Sequence, residues 1–154
     1  MSAMYTRETS IALRFAENFA PPEGTIAAHR AIIERCSSVW YGKLGGAVSD
    51  KNAKLVLGSS EPRLLLIHSG GFERYWAYID AVLRAVPDLE LIPEYYRQRT
   101  AEFGCWFHVL RIDEAPKNEM SRWVVASSGK TLTEASRHSM SPYFVIEPKR
   151  DAKG

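Results

Sequence analysis

Trp40, Tyr41, Trp76, Tyr78, Trp106, Phe107 and Trp123 fall in four segments that read as separate strands. Aromatic rings brought together from several strands can stack a planar base or enclose a methyl group. Taken singly, each ring is more often ordinary core. Beside them stand two Gly/Ser turns, His68-Ser69-Gly70-Gly71 and Ser127-Ser128-Gly129-Lys130. Glycine lets a backbone approach a ligand closely, and serine and lysine offer donors to a phosphate or a base edge. The candidate base-binding set is therefore Trp40, Tyr41, Ser69, Trp76, Trp106, Ser127 and Ser128. Basic residues near the turns, Lys43, Arg74, Arg97, Lys130 and Arg137, are candidate phosphate contacts, whose binding would weaken with salt.

Catalytic and metal chemistry find less support. Ser128-Gly129-Lys130-Thr131 has the end of a phosphate-binding loop, but Val124 stands where that pattern requires its first glycine, which excludes it. His29, His68, His108 and His138 are scattered, and no GxSxG, HExxH or paired-carboxylate motif couples one to a nucleophile. Cys36 and Cys105 lie far apart in no CxxC or Cys/His cluster, so neither a zinc site nor another cofactor is expected. Both cysteines read as reduced thiols in a cytoplasmic protein.

The elements that must position these residues follow from pattern. Thr9 to Phe15 alternates as a first strand, and Pro21, Pro22 and Gly24 interrupt the chain after it. Thr25 reads as the N-cap of a helix through Cys36. Val39 to Gly45 reads as a strand, Ser49 as the cap of a short helix ended by Gly58, and Arg63 to Ser69 as a central strand. Phe72 to Val86 has helical propensity but also strand alternation. The tight turn before it favours a hairpin, so it is assigned as strand. A helix over Glu94 to Phe103 follows Pro93. Then come strands over Trp106 to Ile112 and Ser121 to Ala126, a short helical turn capped by Thr131 or Thr133, and a closing strand from Tyr143 to Ile146. These elements do not alternate strictly, which implies an α+β fold. A small mixed, largely antiparallel β-barrel with two to four flanking helices would remove the sheet edges.

A length of 154 residues with 45% hydrophobic and 25% charged residues suits one domain with a continuous core, with tails at Met1 to Thr6 and Lys149 to Gly154. The net charge of +2 is too small to argue for nucleic acid by itself. No apolar run is long enough to span a bilayer, and the first residues carry no secretory pattern.

The order of features resembles the PUA-like barrel superfamily, particularly its EVE and YTH-type branches. The residues that carry the likeness run from about 37 to 148. They are the Val39-Trp40-Tyr41-Gly42-Lys43 strand, the strand ending His68-Ser69 with its hairpin to Trp76, Pro93-Glu94-Tyr95-Tyr96 before Cys105-Trp106-Phe107, and Ser139-Met140-Ser141-Pro142-Tyr143. A strand and helix over about residues 7 to 36 stand ahead of that barrel, and the Ser127-to-Lys130 turn matches no signature of the branches. The resemblance implies a noncatalytic domain that binds DNA or RNA and holds a modified or flipped base in an aromatic pocket. Trp40, Trp76 and Trp106 would be cage walls and Ser69 a polar contact. Two alternatives stand beside it. One is an ASCH-like hydrolase of modified nucleosides using Lys43 and Glu73. The other is a protein-interaction subunit of a larger assembly.

Overall fold

In a computed structural model, residues 8–15, 20–69, 71, 73–139, 141 and 143–149 are described. Gly70 and Phe72 of the expected hairpin turn, Met140 and Pro142 of the approach to the last strand, and nearly all of both tails lie outside them.

The centre of the molecule is β3 (Arg63–His68). Its run Leu64-Leu65-Leu66-Ile67 is continuously apolar because both faces are covered. Leu64 and Leu66 enter one core, while Leu65 and Ile67 enter another on the opposite face. Each such leucine, fully removed from water, contributes about 2 kcal/mol.

Around β3 the chain forms one mixed sheet in the order β2-β5-β4-β3-β1-β7-β6. Its other strands are β1 (Ser10–Phe15), β2 (Val39–Leu44), β4 (Arg74–Leu83), β5 (Phe103–Glu114), β6 (Trp123–Val125) and β7 (Tyr143–Pro148). Only the β1–β3 pair is parallel, and every other ladder is antiparallel. The strand reading of residues 72 to 86 thus holds for Arg74–Leu83, which pairs with β3 on one side and β5 on the other. Among the described residues β2 and β6 remain the two ends of the sheet, and the ladders do not close into a ring. β1, read from the sequence as part of an extension, lies between β3 and β7.

Helices α1 (Thr25–Cys36) and α2 (Asp50–Leu57) belong to the first core, with Ile26, Ile32 and Val56 buried in it. Helix α3 (Leu132–His138) belongs to the second, through Leu132 and Ala135. Ser49 caps α2 as expected, accepting from the Asn52 amide, and Thr131 caps α3 by accepting from the Glu134 amide. Thr25 does not cap α1. The cap is Gly24, at φ 95°, a backbone conformation that a side chain disfavours, and Thr25 becomes the first helical residue, 2% exposed.

Two other boundaries differ from expectation. The helix over Glu94 to Phe103 is replaced by two 3-10 turns, Glu94–Tyr96 and Thr100–Glu102. β5 claims Phe103 for its ladder with Leu44, so the chain must already be extended there. The strand expected from Ser121 begins only at Trp123, because a 3-10 turn at Glu119–Arg122 tucks the Glu119 carboxylate under two indoles.

Gly104 fixes β5 against the loop after β2. A Cβ there would stand 2.5 Å from the Ala47 amide nitrogen and 2.7 Å from the Gly46 carbonyl carbon, both rigid backbone. Gly104→Ala is expected to destabilise the protein by about 1–3 kcal/mol, through forced backbone displacement, in a thermal melt.

Candidate nucleic-acid interface

One cavity of about 290 Å³ opens where the end of β1, the start of α1, β2 and the 3-10 turns meet. Its aromatic walls are Phe15, Tyr41, Tyr95, Tyr96 and Phe103, and its polar groups are Arg14, Thr25, Lys43, Ser69 and Arg99. Ser69 reaches the rim because its amide donates to the Phe15 carbonyl at 2.8 Å, extending the β1–β3 ladder by one step. Pro93 precedes the turn that presents Tyr95 and Tyr96. The Tyr96 ring packs 4.6 Å from Phe103 and 4.6 Å from Tyr95, centre to centre. Gly42 completes the wall, since a Cβ there would lie 2.6 Å from the Phe103 ring.

A second layer holds these walls. His29, wholly buried, packs 5.0 Å from Tyr41 and 5.5 Å from Tyr96. Its Nδ1 lies 2.8 Å from the Thr25 carbonyl, an acceptor, so Nδ1 carries the proton of a neutral ring. Burial lowers the His29 pKa to about 4, against the opposing effect of that hydrogen bond. Trp106, also wholly buried, backs Phe103 at 4.7 Å and Tyr96 at 6.1 Å. Lys43 lines the cavity and is itself buried, and desolvation lowers its pKa.

Three of the expected base-binding or phosphate-binding residues, Tyr41, Ser69 and Lys43, therefore share this cavity. The three tryptophans expected to form one cage do not. Trp40 is half-buried and stacks 4.6 Å from His108, which in turn hydrogen-bonds Asp80 at 2.5 Å. Trp76 lies in the second core, 5.3 Å from Trp123, donating its indole N–H to Glu119 at 2.9 Å under the Arg63 guanidinium. Trp106 supports the cavity from behind without lining it. Trp40 packs against the cluster that holds Trp106, whereas Trp76 belongs to the second core.

Ser127, Ser128 and Lys130 line a second, wider groove of about 710 Å³, together with Lys51, Asn52, His138, Ser139 and Tyr143. It adjoins the first cavity: Arg14 donates to the Ser136 and Ser139 carbonyls, and the Lys43 ammonium lies 4.9 Å from the Tyr143 ring centre. Arg74 is committed to the Gly71 and Glu73 carbonyls and to the Met120 sulfur, and burial lowers its pKa. Arg97 is exposed and donates to the Leu89 carbonyl, and Arg137 is exposed on α3. Lys43 and Glu73, paired in the hydrolase alternative, line different cavities, Glu73 standing 3.6 Å from His68 beside Arg30 and Glu34.

Sequence pattern missed Phe15, Thr25, Tyr95, Tyr96 and Phe103 as site residues. Phe15 alone had a readable signal, as the last inward position of an alternating strand.

Residues 11–143 match the family model described as Pua-like. The chain belongs to the Pua-like family. The match takes in β1 and α1 as well as the later strands, in keeping with the place of β1 between β3 and β7. No curated protein and no solved structure matches the chain. Among the described residues of this Pua-like domain no three His, Cys, Asp or Glu side chains gather as a metal site, and no helix is long and apolar enough to cross a membrane.

Proposed function

We propose that this Pua-like domain is a noncatalytic reader of nucleic acid, of the EVE or YTH type, that takes a modified or extruded base into the cavity between β1, β2 and the Tyr95–Tyr96 turn. The observation that carries the reading is the cavity itself: a base-sized space with five aromatic walls and the hydroxyl residues Thr25 and Ser69 at its surface. Pua-like domains commonly bind RNA, which supports a nucleic-acid partner. Tyr95, Tyr96 and Phe103 supply the stacking surface that the tryptophans were expected to supply. Ser69 and Thr25 contact the polar edge of the base. Ser127, Ser128 and Lys130 line the adjoining groove, where flanking nucleotides run, and Arg97 and Arg137 add phosphate contacts at the rim.

Fluorescence anisotropy with short single-stranded RNA and DNA, each with and without methylated bases, tests this. Salt-sensitive binding that is tighter for one modified base is expected. Tyr95→Ala should weaken it by about 1–3 kcal/mol, the usual contribution of one stacked base. Ser69→Ala should reduce discrimination between bases, with no measurable change in the melting temperature. Absence of binding to every oligonucleotide would overturn the reading.

A further inference from the structure

The side chain at position 43 is out of keeping with its place in the sheet. Val39, Tyr41 and Lys43 occupy one face of β2. The first two are buried in the first core, and Lys43 follows them inward at 6% exposure. Its ammonium donates to the Gly46 carbonyl at 2.6 Å and, at a longer 3.4 Å, to the Leu44 carbonyl. The Tyr143 ring lies on a further side. Among the described residues no carboxylate stands within ion-pair distance of it. Cys105 is its partner across the β2–β5 ladder, and burial pushes that thiol's pKa up, which keeps it neutral.

The rest of the cavity adds positive charge and no negative charge. Arg14 and Arg99 line it with Lys43, and no Asp or Glu does so among the described residues. Arg99 has its own counter-ion in Glu102, at 2.7 Å, and Arg14 is spent on two carbonyls. Helix α1 starts at the cavity wall with no acidic residue in its first turn and no side-chain cap, so its positive end is also uncompensated there. An ammonium removed from water without a counter-ion is costly, and carbonyl dipoles offset that cost only in part. A neutral base entering the cavity would remove still more water from it.

We infer that the ligand of this cavity is an anion whose negative charge pairs with Lys43. The aromatic half of the ligand rests on the base-pocket reading above, and the charge rests on Lys43 alone. Two sources supply such a charge on a nucleotide: the phosphate of the extruded unit, or an acidic substituent on the base, as in a carboxylated pyrimidine.

Calorimetric titration separates these cases. The probes are uridine, uridine 5′-monophosphate, 5-carboxyuridine, the corresponding adenosine and adenosine 5′-monophosphate, and benzoate and inorganic phosphate alone. At least one anionic nucleoside is expected to bind roughly tenfold or more tightly than its neutral parent, the magnitude of a modest buried charge pair. The monophosphates lead if the backbone supplies the charge, and 5-carboxyuridine leads if the base does. Lys43→Met keeps the length of the side chain and should bring the anion down to the affinity of its parent. In the unaltered protein, carbon-13 NMR of the Lys43 side chain should show its pKa rising when the anion binds. That readout stands even if the variant fails to fold. Equal affinity for neutral and charged nucleosides, or a preference that survives Lys43→Met, overturns the inference and leaves the base reading intact. Benzoate or phosphate binding as tightly as the nucleotides supports the charge and overturns the base reading. No binding by any probe overturns both.

Discussion

Trp106→Ala is expected to lower the stability of the protein by about 3–5 kcal/mol, read as a shift in the urea midpoint without a change in slope. Trp106 is wholly buried among Ile92, Tyr96 and Phe103, so removing the indole opens a cavity that rigid neighbours cannot fill. Its Nε1 has no hydrogen-bond partner among the described residues, so the loss is one of packing and not of a polar contact. Trp106→Phe, which keeps most of the ring and removes an unsatisfied N–H, should cost much less, under about 1.5 kcal/mol. The pair of variants also separates two roles in binding. If Trp106 acts by holding Phe103 and Tyr96 in place, the phenylalanine variant keeps most of the oligonucleotide affinity. If the indole itself touched the base, that variant would lose affinity while remaining stable.

Acid should loosen the same wall from the other side. The His29 pKa is lowered from 6.5 to about 4 in the folded protein, and the unfolded chain holds the ordinary value. Below 6.5 the unfolded chain takes up the proton first, so stability falls as the pH drops and the loss is complete only below about 4. Across that window His29 alone accounts for about 3 kcal/mol. Chemical denaturation at a series of pH values measures it, and His29→Leu should flatten the curve between pH 6.5 and 4 relative to the native protein. Other groups titrating in this range contribute to both proteins, so the difference between the two curves isolates the histidine. His29 packs on Tyr41 and Tyr96 and stays neutral in the folded protein until the pH nears 4, so ligand affinity should change on its account only there.

The fold was legible where one local signal decided it. β3 is readable from four consecutive apolar residues bounded by Pro62 and Gly70-Gly71, since so short a run between breakers suits a strand covered on both faces. Ser49 and Thr131 mark helix starts by their own side chains. Where the outcome depended on distant partners, local pattern failed. The Glu94-to-Phe103 segment has helical propensity, yet the β5 ladder draws its last residue into a strand. The direction of each tryptophan depends on the register of the sheet and on register shifts such as those between Tyr78 and Ala81, which no single strand reports. The 3-10 turn carrying Tyr95 and Tyr96 has no periodicity to betray its inward face. Lys43 differs from these. Its place in the inward row with Val39 and Tyr41 can be read from alternation alone, which does not decide whether it meets a phosphate.

The position of β1 bears on how the molecule reaches its native state. Ile11 lies beside Leu64 on one side and Val145 on the other, so the strand joins segments made at quite different times. Such non-local pairing slows folding, because long loops must close before the contacts that reward closure can form. During synthesis β1 can dock on β3 at an early stage, but its other edge stays open until β7 emerges. Leu13, Arg14 and Phe15 belong to this late-sealed strand and also line the cavity. The cavity wall is thus among the last parts of the sheet to be locked, and it is complete only once β7 has zipped into place.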